Sequence, residues 1–313
     1  MNFSSVMTLF QAAAENGLVL GLTVLALFLS YKMLNVCDLS TDGCFTFGAA
    51  VGAAVALTGH PYLSIIAAIA AGAVSGLVTS VLQTFMGIDS LLAGIIVNTA
   101  LYSVNIAVMG GASLLNLNGT STVFTKAKSV LKGTFLAKQY KIVLLFAVVA
   151  LSIIMISLFL KTRLGLAIRA TGNNPNMVRS SSINPTFTTI VGLCISNAFT
   201  ALSGCLMAQM QKSVNIDIGT GIVTVALASL LIGGAFFPKG KIPLKAIGVV
   251  LGSIVFRVVY AIALRFHMPA HMLKLISSII VIIAIFVPYL KNHYPEIKRR
   301  VSYKFERNGA KNA

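Results

Sequence analysis

The sequence predicts an all-α protein that crosses a bilayer repeatedly, with about nine spans (about eight to ten), and three observations carry that prediction. Of its 313 residues, 57% are hydrophobic and only 10% charged, against roughly a quarter charged in an ordinary soluble domain. Apolar runs fill positions 17–290 and leave no polar block long enough to fold separately. The basic residues outnumber the acidic ones by 24 to 7, yet they lie in the gaps between apolar runs and at the end of the chain. That placement reads as membrane topology and excludes a nucleic-acid footprint. With a mean hydropathy of +0.91, a water-soluble globule is excluded as well.

Hydrocarbon offers backbone amides no water, so each apolar run of about 17–25 residues must be a helix. The runs fall at 16–34, 43–58, 62–85, 90–111, 141–161, 186–209, 218–236, 243–264 and 272–290. Short breaks such as Gly59-His60-Pro61 and Met86-Gly87-Ile88-Asp89 separate them. The first run follows no basic n-region or small-residue cleavage site, so it is expected to remain as a span. Positions 1–290 thus form one membrane domain, and 291–313 form a basic tail, with Lys298, Arg299, Arg300, Lys304, Arg307 and Lys311, suited to anionic lipid. The second run is short and rich in glycine (Gly43, Gly48, Gly52), a pattern that marks half-helices near a transport route or simply close packing. Cys37, Cys44, Cys194 and Cys205 have no CxxC spacing and read as small packed hydrophobes.

Orientation follows from Lys and Arg. With the N-terminus outside, Lys32, the group Lys161, Arg163, Arg169 and Arg179, the group Lys239, Lys241 and Lys245, and the tail all face the cytoplasm. This N-out, C-in arrangement places most of the basic residues inside. The exception is 112–140, flanked by lysines but composed like an extracellular loop. Two stretches resemble each other, Leu39-Ser40-Thr41-Asp42-Gly43 and Asn215-Ile216-Asp217-Ile218-Gly219-Thr220-Gly221. They enter their spans from opposite sides, as an inverted repeat requires.

Charges near or within spans are the sharpest internal clue. Asp42, Asp89 and Asp217 fall near span ends, where helix capping is the simpler duty. Arg257 falls inside a span. Asp42, Gly48, Asp217 and Arg257 are therefore the candidates for a substrate path. No metal site is expected, because Pro269 between His267 and His271 spoils their shared helical face, and His60 and His293 stand alone.

The longest hydrophilic segment between spans on the expected cytoplasmic side is 162–185, with Arg163, Arg169 and Arg179 and no acid. It contains helix-sized pieces broken at Gly172 and Pro175, with Asn173 or Asn174 able to cap the second piece. Its charge alone fits a positive-inside anchor. The run from Gly165 through Arg169, Ala170 and Gly172 to Asn173 and Asn174, the later Ser182-Ile183 pair, and the 219–234 stretch resemble the permeases of branched-chain-amino-acid and simple-sugar type ABC importers. The 39–54 stretch, LSTDGCFTFGAAVGAA, is most similar to the subgroup assigned to tryptophan and tyrosine uptake.

The resemblance implies a permease in the bacterial cell membrane that imports a small polar solute, an amino acid and within that class an aromatic one. It implies that 162–185 docks on a separate ATPase, with Arg169, Gly172, Asn173 and Asn174 at matching positions and Arg179 in the same loop. It further implies a second permease, either an identical copy or a paralogue, and an extracytoplasmic solute-binding protein. The sequence departs from the family in offering Ser182 where a glycine often precedes Ile183. No phosphate-binding loop is present, since 233–241 reads GGAFFPKGK and lacks both spacing and hydroxyl. No cofactor is therefore expected on this chain, which would be no enzyme, and ATP would be hydrolysed on the partner. The alternative is an ion-coupled secondary transporter, against which stands the lack of an acid clearly at mid-span.

Overall fold

The computed structural model describes residues 3–130, 139–238, 240–265, 275, 277–283 and 286. It consists of helices throughout, apart from one two-stranded ribbon. Helix α1 (Phe3–Leu27) continues through a π-helical segment, Phe28–Met33, and then the chain loses helical form until α2 (Thr41–Leu57). There follow α3 (Pro61–Thr84), α4 (Ser90–Val108), strand β1 (Leu114–Asn116), α5 (Val123–Val130) and α6 (Tyr140–Phe159). Two short helices, α7 (Arg163–Asn173) and α8 (Pro175–Ser180), lead into the long α9 (Pro185–Gln211). Strand β2 (Ser213–Asn215) and a 3-10 turn, Ile216–Gly219, precede α10 (Ile222–Phe236) and α11 (Ile242–Arg265).

Among the described residues, seven helices are long and apolar enough to cross a membrane, the α10 span being counted from Ile216, and α2 is a shorter apolar helix. The expected spans coincide with these helices to within a few residues, except that the first is already helical from Phe3. The ninth expected span, 272–290, lies mostly outside the described residues, as do His267, His271 and the tail; residues 277–283 within it are helical. The ribbon, in which Leu115 pairs with Val214, is the one departure from the all-α expectation.

Helix α9 is the axis. Helix α1 lies antiparallel to it, with the Ser196 hydroxyl donating to the Ala26 carbonyl at 2.8 Å and the Ser203 hydroxyl to that of Val19 at 2.6 Å. Helix α2 runs beside α9 in the same direction, Gly48 meeting Ala201 and Gly52 meeting Cys205. Helix α3 returns antiparallel, with Gly76 on Leu193, Gly72 on Asn197, and the Gln209 amide donating to the Ser64 hydroxyl at 2.7 Å. Lipid tails are as apolar as leucine, so helices in a membrane gain little by hiding leucine from lipid. Close backbone approach through small residues is what holds them together. The same device joins α10 to α11 at Gly233 and Gly248, and α1 to α11 at Gly17 and Gly21.

The core gathers Phe28, Phe45, Leu145, Leu193 and Leu206 around α9. The outer faces are equally apolar, with Ile66 and Leu77 of α3, Ile95 and Ile96 of α4, and Phe146, Ile154 and Leu158 of α6 exposed. A surface of this extent is tolerated where hydrocarbon is the solvent.

Gly48 is thus a packing residue: a Cβ there would collide with the backbone of Ala201. Gly48→Leu should destabilise the protein by at least about 3 kcal/mol, the upper end of the overpacking range. Gly234→Ala, where nothing lies within 4 Å of the added atom, should be neutral or slightly stabilising. Thermal unfolding of both variants in detergent checks the pair.

Candidate translocation site

Helices α2 and α10 are the short ones at this point of the bundle, about 26 Å and about 22 Å long at 1.5 Å per residue against a hydrocarbon core of about 30 Å, with α10 reaching span length when the 3-10 turn from Ile216 is counted with it. Their N-termini meet inside the bundle and the helices diverge, α2 toward the ribbon and α10 toward the end carrying α7 and α8. Each N-terminus leaves amide donors without helical partners, and inside a membrane these must be satisfied by the protein.

Two aspartates do this. Asp38, buried to 1% exposure, accepts from the Ser40 amide at 2.8 Å and the Ser40 hydroxyl at 2.6 Å, closing the start of α2. Asn197, near the middle of α9, donates to its other oxygen at 3.0 Å. Asp42, in the first turn of α2, accepts from the Val223 and Gly221 amides at 2.8 Å each and so caps α10 from across the molecule. Negative charge is favoured at both places by the helix dipole. Gly219 sits so close to the Asp42 carbonyl and Thr46 that a Cβ would not fit, and its amide donates to the Thr46 hydroxyl at 3.2 Å. Gly221 has φ +82°, which lets the chain turn from the 3-10 segment into α10.

Beside this junction lies a cavity of about 300 Å³, lined by Asp42, Gly43, Thr46, Asn98, Thr99, Tyr102, Asn105, Ile216, Asp217 and Thr220. Of the four residues expected on a substrate path, the structure brings Asp42 and Asp217 together here. Gly48 faces Ala201 instead. Arg257 lies on α11 with its guanidinium 5.6 Å from the centre of the Tyr260 ring, and it is not among the lining residues. The polar face of α4 was missed from sequence. Asn98, Tyr102 and Asn105 recur at four- and three-residue spacing, which places them on one side of an otherwise apolar helix. That stripe was the available signal.

At the α7–α8 end, Thr162 caps α7 through the Gly165 amide, Asn174 caps α8 through the Asn176 and Met177 amides, and Asn184 caps α9. The expected break at Gly172 and Pro175 thus falls at Asn174. Gly172 points inward, and a Cβ there would strike the Met33 carbonyl and the Leu34 backbone. Arg169 is half-buried, whereas Asn173, Asn174 and Arg179 are exposed. Leu164, Leu166 and Met177 are exposed beside them. Ser182 has φ +60°, a conformation that favours glycine, and this accounts for the residue type expected before Ile183. At the ribbon end, Lys126 and Lys128 of the lysine-flanked 112–140 segment lie over the rings of Tyr62 and Tyr140.

Asp42→Ala removes two charge-assisted bonds to a helix N-terminus, each worth about 1.5–3 kcal/mol. It should lower stability by at least about 2 kcal/mol, with Asp42→Asn intermediate because the amide oxygen keeps one cap. Chemical unfolding of the two variants side by side tests that order.

A family model described as "Branched-chain amino acid transport system / permease component" matches residues 11–285. The chain is 34% identical over 266 residues to a tyrosine transport system permease protein of Clostridioides difficile, covering 85% of this chain and 86% of that one. It is 29% identical over 283 residues to an uncharacterised protein of Rickettsia prowazekii, covering 89% and 97%. It is 25% identical over 232 residues to a galactose/methyl galactoside import permease of Haemophilus influenzae, covering 72% and 66%. No solved structure matches the chain significantly.

Proposed function

This chain belongs to the family of branched-chain amino acid transport system permease components, and we propose that it imports an amino acid, aromatic in kind, with energy supplied by a separate ATPase. It is the permease component of an ABC-type transporter and a multi-pass protein of the inner membrane. The observation that carries the substrate reading is the 34% identity, over 85% of the chain, to a tyrosine transport permease. A cavity of about 300 Å³ with the Tyr102 ring and amide and hydroxyl groups on its walls suits a solute of that size.

Helices α7 and α8 are the proposed dock for the ATPase. Their side chain caps fix both short helices, and Leu164, Leu166 and Met177 present apolar surface beside Arg163 and Arg179. Clusters of exposed apolar residues next to charge are what partner chains bury. The packing of Gly172 on Met33 and Leu34 supports a route inward. The chain continues from there through the non-helical 34–40 segment to Asp38 and Asp42, which hold the two half-helices. In this reading a movement of α7 is felt at the cavity.

The dock and α8 lie at the cytoplasmic end in this reading, the ribbon and the N-terminus lie outside, and an extracytoplasmic binding protein delivers solute to the ribbon end. The basic residues at the α7–α8 end support that orientation. A second permease, a copy or a paralogue, completes the path, and the 291–313 tail contributes a basic anchor at the inner surface.

Met177→Asp should reduce capture of the ATPase at least about tenfold, in the range of a lost interface hot spot, while the permease stays in the membrane at normal amount. Pull-down from native membranes with quantitative mass spectrometry, paired with ATP-dependent uptake of labelled tyrosine, checks both halves. A chain that takes up tyrosine in liposomes without an ATPase would overturn the reading.

A further inference from the structure

The cavity treats its two aspartates differently, and the difference bears on what enters it. Both oxygens of Asp42 already accept backbone amides of α10. Asp217 is exposed, and its carboxylate receives no hydrogen bond among the described residues, its engaged groups being those of the backbone, the amide with Asn215 and the carbonyl with the Thr220 amide. A second acceptor lies buried and unpaired on the α4 wall. Asn105 is buried to 1% exposure, its amide nitrogen donates to the Gly43 carbonyl at 3.3 Å, and its Oδ1 has no partner. A buried acceptor left without a donor costs roughly 1–3 kcal/mol, a cost relieved when a donor is brought in.

Beyond Asp217 and Asn105, Tyr102 lines the same cavity, and aromatic rings attract cations. None of the ten lining residues is Lys, Arg or His. Besides the capped Asp42, the cavity thus holds one carboxylate without a hydrogen-bond partner and an orphan carbonyl oxygen, and no cationic side chain lines it. An ammonium group has three donors and one positive charge, which complements that set. A free carboxylate would meet only hydroxyls and amides.

We propose that this cavity is a recognition site within the permease for the ammonium group of the transported solute, with Asp217 as counter-charge and Asn105 Oδ1 as neutral acceptor. The site discriminates independently of whatever binding protein delivers the solute, and it passes ammonium-bearing solutes in preference to anions of the same size. It rests on the amino-acid reading above for its natural ligand, but it makes its own claim about charge.

The test uses the full chain in lipid nanodiscs and three probes that share a phenol ring: tyrosine, tyramine, which keeps only the ammonium, and 3-(4-hydroxyphenyl)propionate, which keeps only the carboxylate. Tyrosine and tyramine should bind, with the propionate at least about tenfold weaker. Asp217→Asn, which breaks no hydrogen bond and leaves the fold intact, should weaken tyramine at least about tenfold, about 1.4 kcal/mol. Asp89→Asn, altering only the cap of α4, should leave tyramine binding unchanged. Equal binding of the propionate, no binding of tyramine, or indifference of tyramine to Asp217→Asn would each overturn the site. So would displacement of tyramine by sodium ion at equal concentration, which would make it an inorganic cation site. Uptake of labelled tyrosine in intact cells separates the two claims. Tyramine binding without tyrosine uptake sinks the substrate assignment and leaves the site standing, whereas tyrosine uptake without tyramine binding sinks the site alone.

Discussion

A helix that ends inside a bilayer must find partners for its terminal amides within the protein, because no water is there to supply them. This chain starts two of its helices at one junction between packed helices, and the structure around that junction is organised by the remedy. Asp38 closes α2 and Asp42 closes α10, so five consecutive residues, 38–42, fix two helix N-termini. Once those are fixed, so are the directions of both half-helices and the wall they present to α4. The expense of a carboxylate in this setting is offset by amide donors and by the positive ends of two helix dipoles. Asn197 of α9 adds a donor to Asp38 and ties the junction to the central helix.

The rest of the packing serves that junction. Gly48, Gly52, Gly72 and Gly76 bring α2 and α3 into backbone contact with α9, and contacts this close leave little freedom to slide. Gly204 does the same from α9 toward Phe45. A bundle locked along one side transmits displacement well. Helix α7 touches it through Gly172 at Met33 and Leu34, where the π-helical end of α1 gives way to the non-helical segment. Irregular helix ends are frequent where function demands movement. The only covalent link between α1 and α2 therefore runs from beneath α7 to the two capping aspartates.

Much of this was legible in the sequence, and the limits have physical reasons. The spans were legible because bilayer thickness sets a length that apolar runs must meet; α3 and α9 lie within two residues of the expected bounds. The weak likeness between 39–43 and 215–221 pointed to the right pair of segments, since those two meet at Asp42. What it left hidden was the bond itself, because residues 42 and 223 are 181 positions apart and nothing local signals that contact. The role of Asp38 was hidden for the same reason, since its partner Asn197 lies 159 positions away. Arg257 drew attention as a charge in a span, yet its place on α11 beside Tyr260 depends on helix rotation, which the width of an apolar run does not specify. Gly48 packs on Ala201; a glycine-rich run by itself fits both a half-helix beside the path and close packing, and telling them apart requires the facing residue to be known. The stripe Asn98, Tyr102, Asn105 is legible as a polar face at helical spacing, but it carries no charge and so stands out less than the aspartates.

The two half-helix stretches also show how similar sequences divide labour. Each brings one aspartate to the cavity, Asp42 from the first and Asp217 from the second. If both served the same end, both would cap a helix. Asp42 is engaged by two amides across the molecule, whereas the corresponding turn at Asp217 is capped by Asn215, which receives the Asp217 amide at 3.2 Å. With Asn215 doing the capping, the Asp217 carboxylate is released from structure and left facing the cavity. A cap by a neutral amide is nearly as good for the backbone as one by a carboxylate. The charge at position 217 therefore has no structural work that asparagine could not do, and its contribution must be sought in the electrostatics of the cavity it lines.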